Sequence, residues 1–123
     1  MFHIATEEMY HDGQIIFEEG SSGDWIYVVL SGSVEISKHV AGKKVVVHRL
    51  QPEEVFGELG FLGNIKRTAT ARAIGETTVG IIDRAFVELL VNELSSDFRI
   101  ILEAVVTRLK ETLELACKLS TRK

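Results

Sequence analysis

The chain has 123 residues, enough for one domain with its own hydrophobic core, and we predict a single domain over residues 1–123. Its formal net charge of −4 does not suit nucleic-acid binding through a basic surface, and its one cysteine, Cys117, excludes an internal disulfide bond. No apolar run reaches the roughly 18 residues of a membrane-spanning helix, and the N-terminus lacks a secretory signal. We therefore predict a cytoplasmic protein that contacts neither membrane nor nucleic acid.

Short β-prone segments separated by glycines fill residues 8–83. Several alternate apolar and polar residues with the period of two that is typical of a half-buried strand. Ser31-Gly32 and Ala41-Gly42 lie where tight hairpin turns are expected, and Trp25 heads an apolar segment and is expected to be buried. The predicted strands are 15–17, 25–30, 33–40, 44–50, 68–73 and 78–83. This pattern predicts a mainly β domain, an antiparallel sandwich or barrel of the jelly-roll type.

Two helices are predicted after the strands. The segment 84–92 has helical spacing of its apolar residues, and Asp83 is placed to cap its N-terminus. Polar residues at 95–97 offer caps for a longer helix over about 97–119, which contains neither glycine nor proline. Residues 84–119 therefore form C-terminal helices.

The long helix carries more apolar surface than packing on a small sheet requires. One stripe has the alternating spacing of three and four residues that is typical of a coiled-coil seam. Its members are Leu102, Val105, Leu109, Thr112, Ala116 and Leu119, with Val106, Leu113 and Cys117 beside them. We predict that this stripe packs against the same helix of a second copy, which would form a homodimer. The alternative is that the whole face packs within one chain.

The segment FGELGFLGNIKRTATARA, residues 56–73, contains the residue types needed to hold a phosphate. Gly57 permits a close approach of the backbone or an unusual φ. Residues 58–62 are long enough for one helical turn, whose N-terminus would present free N–H groups to an anion. Arg67 offers a planar fork of donors to two phosphate oxygens, and the two residues after it add a hydroxyl and an accessible backbone N–H.

Glu58 needs a separate explanation, because a carboxylate beside a phosphate repels it. The carboxylate fits if it accepts a hydrogen bond from a sugar hydroxyl, such as a ribose 2′-OH. An acid for the sugar and an arginine for the phosphate together describe a nucleotide site. The alternative, which the spacing leaves open, is that Glu58 simply pairs with Arg67.

The same segment resembles the phosphate-binding cassette of cyclic-nucleotide-binding domains, the family of catabolite activator protein and protein kinase A regulatory subunits. The shared pattern is Phe-Gly-Glu-Leu, a short gap, then Arg followed by Ser, Thr or Ala and by Ala. Upstream, FEEGSSGDWIY and IYVVLSGSVEISK also resemble that family, so the resemblance covers about residues 8–119. It implies an eight-stranded antiparallel β-roll over residues 8–83, with a short cassette helix and a long C-terminal helix.

The resemblance also implies a role for each matching residue. Glu58 would bind the ribose 2′-OH and Arg67 the exocyclic phosphate oxygens. Thr112 matches the position of a base-contacting threonine in catabolite activator proteins; alternatively, it is a polar residue that sets coiled-coil register. The implied ligand-binding residues are Gly57, Glu58, Leu59, Arg67, Thr68, Ala69 and Thr112.

The ligand that this resemblance favours is cAMP, with cGMP as the alternative. Thr68, directly after the arginine, resembles cGMP-preferring members, but bacterial cAMP receptors also carry a hydroxyl there, and Thr112 favours cAMP. We predict a regulatory sensor domain that signals by movement of its C-terminal helix. A degenerate member of the fold that serves only as a dimerisation module would have lost Glu58 or Arg67, and both are present.

Catalytic signatures are missing from the sequence. The four histidines are scattered and form no metal-binding motif, and no G-x-S-x-G nucleophile motif occurs. Cys117 falls among apolar helix positions and is expected to be an inert packing residue. We therefore predict that the chain is not an enzyme and holds neither a metal nor a cofactor.

Overall fold

The structure is a computed structural model, and it describes residues 2–23, 25–58 and 66–120. The described part contains six strands followed by two helices. The strands are β1 (Ile4–Tyr10), β2 (Ile15–Phe17), β3 (Tyr27–Val40), β4 (Lys43–Leu50), β5 (Val55–Phe56) and β6 (Thr70–Ile82). The helices are α1 (Arg84–Asn92) and α2 (Ser96–Ser120).

The strands pair in antiparallel fashion around the two longest, β3 and β6. The main path through the sheet is β1-β6-β3-β4, while β2 pairs with β6 and β5 pairs with β3. The first residues of β3 lie between β5 and β6, and its second half lies between β4 and β6. This antiparallel sheet followed by helices confirms the prediction of a mainly β domain with C-terminal helices.

The predicted hairpin turn at Ser31-Gly32 is wrong, because β3 continues through these residues and a bulge in the neighbouring strand β6 lies opposite them. Gly32 has a φ of 82°, and the register passes from Ser31 opposite Thr78 to Ser33 opposite Ile74, so the excess residues lie on β6. The buried hydroxyl of Thr77 holds this bulge by donating to the Ser33 carbonyl at 3.0 Å. As a result β3 and β6 each include two of the predicted strands, and the described residues form six strands where eight were expected.

The turn at Ala41-Gly42 is confirmed. It joins β3 to β4 with Val40 opposite Lys43, and both turn residues have positive φ, 54° and 76°. Two consecutive positive φ values are the geometry of the two-residue hairpin turn that matches strand twist.

The sheet also begins earlier than predicted, at Ile4 and not at residue 8. β1 pairs with β6 from Ile4 opposite Ile82 to Tyr10 opposite Thr77. Its sequence, IATEEMY, places no side chain fully in the core, so the apolar alternation that marks other strands is weak. Backbone pairing with β6 therefore defines this strand.

The core fills the space between the strands and continues toward the first helix. The main cluster contains Tyr27, Val29, Val34, Leu50, Phe56, Ala71, Val79 and Ile81. A second cluster, Ile26, Val28 and Ile82, contacts Val87 of α1. The prediction that Trp25 is buried is wrong: it precedes β3 and its side chain is 47% exposed.

Both helices begin at the predicted caps. The Asp83 carboxylate accepts hydrogen bonds from the N–H groups of Ala85 and Phe86, at 3.0 and 3.4 Å. The Ser95 hydroxyl accepts from the Phe98 N–H at 3.1 Å. Each cap satisfies N–H groups that lack an intrahelical partner at a helix start.

α2 touches β3 and β4 with only one side. Val106 is 5% exposed and Leu113 is half-buried, whereas Val105, Leu109 and Leu119 are 54%, 53% and 54% exposed. The alternative that the whole apolar face packs within one chain is therefore wrong for these three residues. Neither described helix is both long enough and apolar enough to cross a membrane.

Candidate functional site

Arg67 lies three residues before β6, and its side chain is directed inward. The residue is 4% exposed. Its Nη1 donates to the Gly57 carbonyl at 2.9 Å, and its Nη2 donates to the Trp25 carbonyl at 3.0 Å. Because a guanidinium is planar, two bonds from different nitrogens fix the orientation of the whole group.

Two aromatic rings cover the guanidinium. Its Cζ lies 4.2 Å from the centroid of the Phe17 ring and 5.8 Å from that of Tyr27. Aromatic faces attract cations at these distances. Burial raises the pKa of the Tyr27 hydroxyl, although the nearby charge of Arg67 opposes this rise. The phenol is therefore neutral at physiological pH.

Two glycines make room for the arginine. A Cβ on Gly57 would lie 2.9 Å from Arg67 Nη1 and 2.9 Å from the Trp25 carbonyl oxygen, and the φ of Gly57 is 83°. Both the close approach and the unusual φ predicted for Gly57 are thus observed. A Cβ on Gly23 would lie 3.2 Å from Arg67 Nε and Nη2, a role that the sequence did not reveal.

The backbone around Arg67 is fastened to the turn at residues 18–21. The Arg67 N–H donates to the Ser21 carbonyl at 2.9 Å, and its carbonyl accepts from the Gly20 N–H at 2.8 Å. One residue earlier in the turn, the Glu19 N–H donates to the Thr70 hydroxyl at 2.9 Å. The residues that lead into β6 are therefore fixed by pairing with a distant part of the chain.

A cavity of about 400 Å³ opens beside this arginine, between the sheet and α2. That volume lies within the range of small-molecule sites. Its described lining contains Phe17, Ile36, His48, Leu50, Glu54, Val55, Phe56, Gly57, Glu58, Arg67, Thr68, Ala69 and Leu113. One cavity thus joins an apolar wall to a buried arginine and a half-buried carboxylate.

Five of the seven predicted ligand-binding residues line this one cavity: Gly57, Glu58, Arg67, Thr68 and Ala69. Leu59 and most of the predicted cassette helix at 58–62 lie outside the described residues. Thr112 is exposed on α2 and is not part of the lining, whereas its neighbour Leu113 is. The structure therefore brings together the residues that are predicted to bind the phosphate and the sugar, and it leaves Thr112 at the surface.

His48 and Glu54 also line the cavity, although no motif in the sequence pointed to either residue. His48 Nε2 lies 3.4 Å from Glu54 Oε2. The Gln51 N–H, donating to the Glu54 carboxylate at 2.9 Å, lowers the pKa of Glu54, and His48 lowers it further. An ionised carboxylate and an imidazole therefore lie on the wall formed by β4 and the β4–β5 turn. Only the folded structure shows that these residues face the cavity.

Arg67 also lines a second cavity of about 860 Å³, on the side of Trp25. Glu18 and Glu19 line that space, so it suits an anion less well. Neither Glu58 nor the two residues after Arg67 line this second cavity. The first cavity is therefore the stronger candidate for an anionic ligand. No group of three or more His, Cys, Asp or Glu residues in the described ranges could hold a metal ion.

Comparison with known proteins gives concordant results. A family model described as "Cyclic nucleotide-binding domain" matches residues 7–93. An uncharacterized ABC transporter ATP-binding protein of Mycobacterium tuberculosis is 41% identical over 63% of this chain and 24% of its own length. A cAMP-dependent protein kinase regulatory subunit of Mycosarcoma maydis is 33% identical over 66% of this chain and 17% of its own length. The chain thus spans no more than a quarter of these curated relatives.

A solved structure extends the similarity over most of the chain. The EAL enzyme Bd1971 in its cAMP-bound form has a TM-score of 0.83 and 25% sequence identity, covering 91% of this chain and 30% of that one. In its cGMP-bound form the TM-score is 0.79 at 27% identity, covering 85% of this chain and 28% of that one.

Proposed function

This chain belongs to the cyclic nucleotide-binding domain family, and from that premise we propose that it is a non-catalytic sensor of cAMP in the cytoplasm. The ligand would occupy the cavity between the sheet and α2. The observation that carries this proposal is one cavity lined by Glu58, Arg67, Thr68 and Ala69. Relatives that are described as cAMP-dependent or bound to cAMP support the choice of nucleotide.

The phosphate would bind at Arg67. A buried guanidinium attracts an anion more strongly than an exposed one, because less water screens the charge. Its carbonyl partners at Gly57 and Trp25 orient the fork. Thr68 and Ala69 would add a hydroxyl and a backbone N–H to the same phosphate oxygens. A planar fork can bind two oxygens of one phosphate at once.

The ribose would bind at Glu58. Its carboxylate is half-buried on the cavity wall, where it can accept a hydrogen bond from a 2′-OH. This arrangement separates a carboxylate for the sugar from a guanidinium for the phosphate. It would distinguish a ribonucleotide from its 2′-deoxy analogue.

The base would extend toward α2, where Leu113 lines the cavity. Thr112 lies on the exposed stripe that we propose to pair with a second copy of α2, so dimerisation would bring it close to a base. His48 and Glu54 offer polar groups to a purine edge from the sheet side.

Signalling would follow from movement of α2. A ligand can shift a conformational equilibrium only by as much as it binds one state more tightly than the other. Here the ligand would touch both the sheet and the helix, so its affinity depends on the position of the helix. Binding would therefore favour one arrangement of α2 in the homodimer.

Isothermal titration calorimetry with cAMP, cGMP and 5′-AMP tests the proposal. We expect saturable binding of one cAMP per chain, weaker binding of cGMP, and much weaker binding of 5′-AMP, whose phosphate is not cyclised. Thr68 on the cavity wall supports cGMP as the second candidate, and tighter binding of cGMP than of cAMP would select it. Absence of binding by both cyclic nucleotides would contradict the function itself.

A further inference from the structure

Lys38 is a buried lysine close to the cassette. It follows Ile36, which lines the cavity, by two positions on β3, and the residue is only 6% exposed. Lysine is rarely buried without partners, because an unpaired ammonium in the interior is costly. Its Nζ donates to Glu19 Oε2 at 3.2 Å and to the backbone carbonyl of Thr68.

Glu19, which binds the ammonium, is itself held in place by two further hydrogen bonds. The second carboxylate oxygen of Glu19 accepts the His39 N–H at 2.9 Å, and the Glu19 N–H donates to the Thr70 hydroxyl. Glu19 therefore has bonds to β3 and to the start of β6. This network places Lys38 Nζ behind the two residues, Thr68 and Ala69, that line the cavity.

The geometry of the peptide bond links Lys38 to the ligand site. In a planar trans peptide, the carbonyl of one residue and the N–H of the next point in opposite directions. The Thr68 carbonyl points to Lys38, so the Ala69 N–H points away from Lys38. We propose that Lys38 is a positioning residue that directs the Ala69 N–H into the cavity as a donor to an anionic ligand. This inference rests on the proposed function, since the anion in question is the cyclic phosphate.

The test compares two lysine variants of the whole chain. Lys38→Met keeps an unbranched apolar side chain but removes the ammonium. Lys43→Met removes the same charge from an exposed position on β4, directly after the turn that joins β3 to β4. A hydrogen bond that involves a charged group is worth roughly ten- to a hundredfold in affinity. We expect Lys38→Met to weaken cAMP binding at least about tenfold, and Lys43→Met to bind as the wild type does.

Amide NMR separates positioning from a general structural defect. In the wild type, saturating cAMP should move the Ala69 amide proton strongly downfield, because the N–H then donates to a phosphate oxygen. In Lys38→Met this shift should shrink more than those of the other amides that line the cavity.

Three outcomes would count against the inference. Lys38→Met with wild-type affinity and a wild-type Ala69 shift would overturn it while the proposed function stands. If Lys38→Met does not fold, the wild-type Ala69 amide still tests the inference. A wild-type Ala69 amide that does not shift when cAMP is added would overturn it. If wild-type chain binds neither cAMP nor cGMP in calorimetry, the proposed function and this inference fall together.

Discussion

The two walls of the cavity differ in how firmly one chain fixes them. On the sheet side, Arg67 is buried, and both its side chain and its backbone are hydrogen-bonded to distant residues. On the helix side, α2 contributes Leu113 to the cavity and exposes Val105 and Leu109 to solvent. The described part of the sheet wall is therefore fixed within one chain, while the apolar stripe of the helix wall is exposed to solvent.

This difference suits the separate tasks that we propose for the two walls. A rigid wall suits binding, because an oriented arginine loses little freedom when the ligand arrives. A weakly held helix suits response, because elements that move are drawn from the less stable parts of a fold. We expect substitutions in the sheet wall to change affinity, and substitutions in the helix wall to change assembly and selectivity.

Arg67→Ala should have the largest effect on binding. Two charge-assisted hydrogen bonds at roughly 1.5 kcal/mol or more each correspond to about a hundredfold or more in affinity. Arg67→Lys should also weaken binding, since one ammonium cannot replace the planar fork. Calorimetry with cAMP measures both losses. Arg99→Ala, which removes an exposed arginine at the start of α2, is the control and should bind normally.

Leu109→Glu should abolish the proposed homodimer without affecting the sheet wall. It places a charge at the centre of the exposed stripe, where a partner helix would have to bury it. Sedimentation velocity should show a dimer for the wild type and a monomer for the variant. Thr107→Glu adds the same charge to an exposed position of the same helix outside the stripe, and it should remain dimeric. A wild-type chain that is monomeric at high concentration would contradict the predicted coiled-coil seam.

Glu58→Ala should remove discrimination against a missing 2′-hydroxyl. Wild-type chain should bind 2′-deoxy-cAMP about tenfold more weakly than cAMP, the loss of one hydrogen bond to a carboxylate. The variant should bind the two nucleotides equally well. Calorimetry of both proteins with both ligands completes a thermodynamic cycle, which isolates the interaction between Glu58 and the 2′-hydroxyl. If the wild type binds the deoxy compound as tightly as the parent, Glu58 has another role, such as pairing with Arg67.

Thr112→Ala should have the smallest effect, a change of a few fold in the ratio of cAMP to cGMP affinity, since a neutral hydrogen bond contributes about 1 kcal/mol. Competition binding with both nucleotides measures this ratio. Leu113→Ala, one residue further on the cavity wall, should weaken both nucleotides in parallel. An unchanged ratio in Thr112→Ala would leave that residue as a packing position in the stripe.

Local signals made part of this fold predictable from the sequence. The caps at Asp83 and Ser95 and the turn at Ala41-Gly42 depend on side chains and dihedral angles within a few residues. In contrast, β1 is defined by its pairing with β6, and the bulge of β6 opposite Gly32 is held by a hydrogen bond from Thr77 to the Ser33 carbonyl on β3. Such long-range partners leave no periodic signal in the strand itself.

The same distinction applies to the site. The motif around Arg67 identified the arginine and its neighbours, because the relevant residues are close in sequence. It could not show that the Trp25 carbonyl orients the arginine, that Gly23 leaves space for it, or that Lys38 lies behind Thr68. Those contacts join segments that are between 30 and 44 residues apart in the chain. The sequence therefore predicted which residues lie together in the cavity better than it predicted the contacts that hold them in place.

A crystal structure of the chain with cAMP would test the central claim most directly. The account predicts the nucleotide in the cavity between the sheet and α2, with its phosphate oxygens bonded to the Arg67 guanidinium and its 2′-OH bonded to Glu58. A nucleotide bound in the cavity beside Trp25, or one whose phosphate does not contact Arg67, would contradict it.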